Sequence, residues 1–160
     1  MTIKIGDTLP AGKFKTMGEA GPQEITTSQL FDGKRVLLFS VPGAFTPTCN
    51  AKHLPGYIAQ AEELKKHGID TIACVAVNDV FVMGAWGKSA GADGKVLMLA
   101  DGSGDYARAL GLELDLTAAG MGVRGKRFAL VAKNGVVEQL NVEAPGEFKV
   151  SAADAMLCQL

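Results

Sequence analysis

Apolar runs at Val36–Val41, at Ile72–Val77 within a strand read over Ile69–Val77, and at Phe128–Ala132 are too short for helices and too little alternating for half-exposed strands. Such runs read as strands covered on both faces. Between the first two, Leu54, Tyr57, Ile58, Ala61 and Leu64 recur at helical spacing and predict a helix over 47–66. Pro55-Gly56 inside it predicts a kink, and Lys65, Lys66 and His67 before Gly68 predict its stop. Asn78-Asp79 reads as the cap of a short helix reaching about Gly87 or Ser89, Val96–Leu99 as a third strand, and Asp105–Leu110 as a helix closed by Gly111. Arg127–Ala132 and Val136–Asn141 flank Lys133-Asn134-Gly135, a strong hairpin signal. Ser151 with Asp154 resembles a capping box opening a C-terminal helix. Strand–helix–strand alternation predicts an α/β fold whose mixed sheet has a parallel core and helices on both faces. With no linker, repeat or low-complexity segment, residues 1–160 read as a single domain.

Composition narrows the function. A 160-residue chain can bury a full core without staples. The net charge of -1 and the lack of a basic run argue against nucleic acid. The apolar runs fall far short of the ~20 residues that span a bilayer, so no membrane is expected. The start, Met1 to Asp7, is too polar for a secretory signal. Cys49, Cys74 and Cys158 fit no zinc spacing, and three is odd for a disulfide framework. Free thiols in a reducing compartment are the simplest reading, the cytoplasm being the expected one and an organelle after transit-peptide removal also fitting. No cofactor and no metal are implied.

The chemistry concentrates in Pro42-Gly43-Ala44-Phe45-Thr46-Pro47-Thr48-Cys49. Cys49 follows a buried strand at the predicted start of a helix, where unpaired N–H groups favour an anion. The thiolate is the nucleophilic form of cysteine. Thr46 places a hydroxyl within reach, and the two prolines stiffen the loop. A Cys-x-x-Cys pair is missing, since its first position holds Thr46, which points to single-thiol attack. The plain alternative is an inert, half-buried cysteine.

Pro42-x-x-x-Thr46-x-x-Cys49 resembles the active-site motif of peroxiredoxins, thiol peroxidases on a thioredoxin-like fold. The longer run from Val41 to Cys49, followed by Lys52-His53-Leu54-Pro55-Gly56, resembles the type II, peroxiredoxin 5-like subfamily. So do Ala76–Asp79, Trp86-Gly87, Ala100–Gly104 and Arg127-Phe128-Ala129-Leu130. The resemblance covers nearly the whole chain. It implies that Cys49 is the peroxidatic thiol, Thr46 its hydroxyl partner, Pro42 a shield over the site and Arg127 the active-site arginine. Arg124 is the other candidate by sequence, but reads as a surface or loop charge. His53 reads as a positioning or surface residue, because peroxide reduction needs no separate strong base. Trp86, Phe45 and Phe81 read as packing near the site or at a subunit contact, and the resemblance implies a homodimer.

Lowering a thiol pKa from ~8.5 to ~6 raises its ionised fraction at pH 7 only about thirtyfold. The remaining acceleration must come from donors aimed at the transition state, for which Thr46, Arg127 and the loop amides are the candidates. The substrates expected are hydrogen peroxide and organic hydroperoxides.

Some type II relatives carry a resolving cysteine after the hairpin. The segment Val142 to Ser151 has none, so an internal disulfide at that position is excluded. Cys74 reads as structural, although its spacing from Cys49 resembles that of plant-like relatives. Cys158 reads as either an unusual resolving thiol or incidental. The preferred cycle uses an external thiol, with glutathione and glutaredoxin favoured over thioredoxin by analogy. The competing readings are a thiol-disulfide oxidoreductase, a redox sensor or holdase, and a structural domain with a dead site.

Overall fold

The computed structural model describes residues 2–160. Its centre is a seven-stranded mixed sheet in the order β2-β1-β5-β4-β3-β8-β9. The strands are β1 (Lys13–Gly18), β2 (Gly21–Thr26), β3 (Arg35–Ser40), β4 (Thr71–Ala76), β5 (Leu97–Ala100), β8 (Phe128–Lys133) and β9 (Val136–Val142). A separate hairpin is formed by β6 (Glu113–Leu116) and β7 (Gly122–Gly125). β3, β4 and β5 run parallel, and β8 lies antiparallel to β3.

The strands predicted from continuous apolar runs are the central ones, and the reason is visible in the packing. On β3, Leu37 and Phe39 enter one core, while Val36 and Leu38 enter the other. The first core is closed by α2 (Leu54–Ala59), α3 (Ala61–Lys66), α4 (Val80–Ala90) and α6 (Ala153–Leu157). The second lies under α1 (Thr27–Phe31) and α5 (Asp105–Leu110). Burial on both faces removes the polar alternation of a one-sided sheet. Asn134 and Gly135, at φ 50° and 79°, make the β8–β9 turn, since both central residues must be left-handed.

The structure refines these local expectations and corrects one, the Ser151 cap. The 47–66 helix departs from regular geometry just ahead of Pro55-Gly56. It carries a wide π-type turn at Cys49–His53, closed by Leu54 N–H donating to the Cys49 carbonyl, and it breaks at Gln60 between α2 and α3. Pro55 lacks an N–H and would crowd the carbonyl four residues back. The wide turn ahead of it relieves both constraints. Ser151 does not cap α6, whose N-cap is Ala152 with no side-chain bond. The Ser151 hydroxyl is taken by Glu143 instead. Of the expected Asn78-Asp79 pair, Asp79 caps α4, its Oδ1 accepting from Val82 N–H at 2.9 Å. Among the described residues no helix is long and apolar enough to cross a membrane.

Candidate active site

The chain leaves β3 at Ser40, and Val41 N–H still pairs with the Val75 carbonyl at 3.2 Å. From there residues 42–46 form a tight loop. Thr46 N–H and Thr46 Oγ1 both donate to the Gly43 carbonyl, at 3.4 and 2.7 Å. Ala44 N–H donates to Asn78 Oδ1 at 2.9 Å, so the β4–α4 junction holds the loop from one side. Phe45 sits at φ 62°, a left-handed conformation rare for a bulky residue and found where neighbours over-determine the chain. The first bond of the helix is Asn50 N–H to the Thr46 carbonyl at 2.8 Å. The Thr48 and Cys49 N–H groups lie ahead of it, as the orphan donors of a helix start do.

Cys49 is fully buried at the base of this loop, on the π-type turn. Arg127, just ahead of β8, reaches it from the neighbouring strand: Nη2 donates to Cys49 Sγ at 3.1 Å. The other fork nitrogen, Nη1, lies 2.8 Å from His53 Nδ1. An arginine can only donate, so Nδ1 must accept. His53 Nε2 lies 3.1 Å from the Ser151 carbonyl, which can only accept, so Nε2 carries the proton. The two contacts define a neutral imidazole of one tautomer. Tyr57 Oη donates to the same Ser151 carbonyl at 2.6 Å, and Ser151 donates from N and Oγ to Glu143 Oε2 at 2.8 and 2.6 Å. Phe148 lies against the His53 ring at 4.9 Å and against the Arg127 guanidinium at 5.8 Å.

The structure thus brings Cys49 and Arg127 into contact. It places Pro42 and Thr46 on the loop above them, with the Thr46 hydroxyl proton given to Gly43 and its lone pairs unspent. His53, read from the sequence as positioning or surface, is completely buried and orients Arg127. Burial and the adjacent Arg127 charge lower its pKa to about 3. Glu143 escaped the sequence reading altogether, since a carboxylate two residues past an asparagine in a strand carries no local signal. Burial pushes its carboxyl pKa up, but the donors from Ser151, Lys149 and Val150 outweigh this and hold it below the usual range.

A pH dependence follows. The unfolded chain protonates His53 near pH ~6.5, whereas the folded chain resists until about pH 3. Between these limits the unfolded state binds more protons, so this residue's stabilising contribution is lost as pH falls, by up to roughly 1.4 kcal/mol per pH unit. Urea unfolding at neutral pH and at pH ~4.5 should show a steeper acid loss for the wild type than for His53→Gln. Parallel losses would contradict this.

Cys74 lies mid-β4 opposite Phe39, fully buried, and burial together with the nearby Cys49 pushes its thiol pKa well up. Such a thiol is inert. Cys158 is exposed at the end of α6. Trp86 is buried with Nε1–H donating to Asn50 Oδ1 at 3.0 Å, while Phe45 and Phe81 are exposed. A cleft of about 670 Å³ at the Thr71 end of β4, lined by Thr16, Met17, Gly84, Gly87 and Lys88, contains none of these site residues.

The Redoxin family model matches residues 4–157. Peroxiredoxin-2C of Oryza sativa subsp. japonica is 51% identical over 156 residues, covering 97% of this chain and 96% of its own length. Peroxiredoxin-2B of Arabidopsis thaliana matches to the same extent, at 51% over 156 residues. The reduced Prx3 of Vibrio vulnificus, solved in complex with hydrogen peroxide, superposes with a TM-score of 0.95 at 49% identity, covering 99% of each chain. The mixed sheet and its helices are accordingly a thioredoxin-like fold.

Proposed function

Because the chain belongs to the Redoxin family, as a type II peroxiredoxin and thus a thiol-dependent peroxidase, we propose that Cys49 is the thiol that attacks the peroxide. The observation that carries this is the 3.1 Å contact from Arg127 Nη2 to a fully buried Cys49 Sγ at a helix start. The thiolate attacks one peroxide oxygen, an S–O bond forms and the O–O bond breaks. Sulfur is oxidised by two electrons to a sulfenic acid. The departing oxygen takes up a proton and leaves as water or an alcohol.

Each neighbour has a separate task. The Arg127 fork, locked by His53, presents a fixed cation to the thiolate and then to the charge growing on the departing oxygen. The lone pairs of Thr46 Oγ1 accept a hydrogen bond from the incoming peroxide, and the orphan N–H groups at the helix start hold its oxygens. Pro42 keeps water off the sulfur. The substrates are hydrogen peroxide and organic hydroperoxides small enough to reach it.

The second half of the cycle uses an external thiol, glutathione with glutaredoxin ahead of thioredoxin. The reducing thiolate attacks the sulfenic sulfur, expels its oxygen as water and leaves a mixed disulfide, which a second thiol cleaves. Support comes from the segment Val142 to Ser151, which has no cysteine, and from the inert setting of Cys74. A peptide or protein thiol cannot reach a sulfur with no exposed surface, so the turn at Cys49–His53 must open first. Three unpaired cysteines suit the cytoplasm or another reducing compartment. The exposed Phe45 and Phe81 suit a homodimer face, and light scattering that gave the mass of one chain would remove that reading.

Turnover of hydrogen peroxide coupled separately to glutathione with glutaredoxin and to thioredoxin tests the cycle. We expect Cys158→Ser to keep at least about half of the wild-type turnover, as surface changes away from the chemistry do, with the glutaredoxin couple faster. Collapse of turnover in Cys158→Ser would make Cys158 the resolving thiol.

A further inference from the structure

The sequence sets Arg124 aside as a loop charge; in the structure it is half-buried on β7 and bonded to two segments. Nε donates to the Met121 carbonyl at 2.8 Å within its own hairpin, and Nη1 reaches across to the Pro42 carbonyl at 3.4 Å. Building on the peroxidase reading above, we propose that Arg124 is a positioning residue for the peroxide step, gripping the Pro42–Thr46 loop so that the Thr46 hydroxyl and the helix-start amides stay over Cys49.

Three observations support this. First, the two bonds use the planar fork as a bridge. The Nε bond fixes the guanidinium to β7, and Nη1 extends from that fixed base to the loop, which a lysine with its single flexible nitrogen cannot reproduce. Second, the loop lies tightly against this side chain. A Cβ at Gly43 would stand 3.0 Å from Thr46 Cγ2, 3.3 Å from Arg124 Nη1 and 3.4 Å from Met121 Cε. Glycine is what lets the hairpin press onto the loop there. Third, the gripped Pro42 carbonyl is one residue ahead of the carbonyl that places the Thr46 side chain, since the Gly43 carbonyl accepts from both the Thr46 hydroxyl and the Thr46 N–H. Asn78 holds the loop through Ala44 N–H at 2.9 Å. Arg124 supplies a second hold, at Pro42. Among the described residues neither Arg124 nor Arg127 has a carboxylate at salt-bridge distance. The fork of Arg124 is therefore free to serve backbone carbonyls.

The test is stopped-flow oxidation of Cys49 by hydrogen peroxide across pH for the wild type, Arg124→Lys, Arg124→Gln and Gly43→Ala, with melting temperatures alongside. We expect both Arg124 variants to lose about tenfold or more in rate, as displaced catalytic groups do. The pH midpoint of the profile and the melting temperature should stay close to wild type. Gly43→Ala should slow the step similarly, and combining it with Arg124→Gln should cost little more than the larger single change, because both break one contact. Rates within about twofold of wild type in both Arg124 variants would return Arg124 to a loop charge. Rescue by lysine but not glutamine, with a moved midpoint in the glutamine variant, would show that it acts by charge and overturn the grip. A loss that follows the melting temperature would make its role purely structural. A wild-type protein that fails to react rapidly would instead sink the peroxidase reading itself.

Discussion

Cys49→Ser should leave no peroxide consumption above buffer background, whereas Cys74→Ser and Cys158→Ser should retain it. A serine hydroxyl does not ionise near neutral pH and cannot form the oxidised sulfur on which the cycle turns. The other two thiols cannot take over. Cys74 is sealed in the core, where burial holds the proton on its sulfur. Cys158 is exposed but has no hydrogen-bond partner of the Arg127 kind among the described residues. Peroxide consumption followed electrochemically in the three variants checks this. Residual catalysis in Cys49→Ser, lost only on removing Cys158 as well, would move the chemistry to the C-terminal thiol.

Arg127→Ala should slow Cys49 oxidation by about 10²–10³-fold, the range seen when one preorganised donor to a developing anion is removed. Complete ionisation of an ordinary thiol at pH 7 gains only about thirtyfold. A loss beyond that figure therefore falls on the transition state, where charge grows on the departing oxygen. The truncation also leaves His53 Nδ1 buried without its 2.8 Å donor, at a stability cost of about 1–3 kcal/mol. Arg127→Lys separates the two effects, since it keeps a cation but lacks the fork that serves Sγ and Nδ1 together. Stopped-flow rates, paired with ultraviolet absorbance of the thiolate, decide the matter. A loss that only tracks the thiolate fraction would reduce Arg127 to a bystander charge.

The two-sided strands were readable because burial on both faces leaves an unbroken apolar run, and Asn134-Gly135 because that turn needs two left-handed residues. The β1–β2 hairpin was not, because Lys13–Gly18 buries only Phe14 and the partner strand buries no residue fully. The β6–β7 hairpin is similarly polar, with Gly125 its only buried residue. Helical periodicity could place residues 47–66 on a helix but not register the extra residue that the π-type turn absorbs ahead of Pro55.

The site divides along the same line. Pro42, Thr46 and Cys49 are neighbours in the chain, so their spacing alone suggested a reactive loop. Arg127 is 78 residues from Cys49, and only the resemblance to a family singled it out over Arg124. The support behind it is more distant still: His53 and Ser151 are 98 residues apart, joined where α2 meets the chain after β9. Ser151 looked like a cap because the box pattern is local. Glu143, eight residues back, outcompeted the helix for its hydroxyl. Sequence spacing speaks for contacts within a turn or two, and the fold alone brings together residues that must meet across the sheet.

The most direct test of the central claim is peptide mapping after one equivalent of hydrogen peroxide with a sulfenic-acid trap present. A trapped adduct on Cys49 alone is the predicted result. Rapid modification elsewhere, or none at Cys49, would contradict the account.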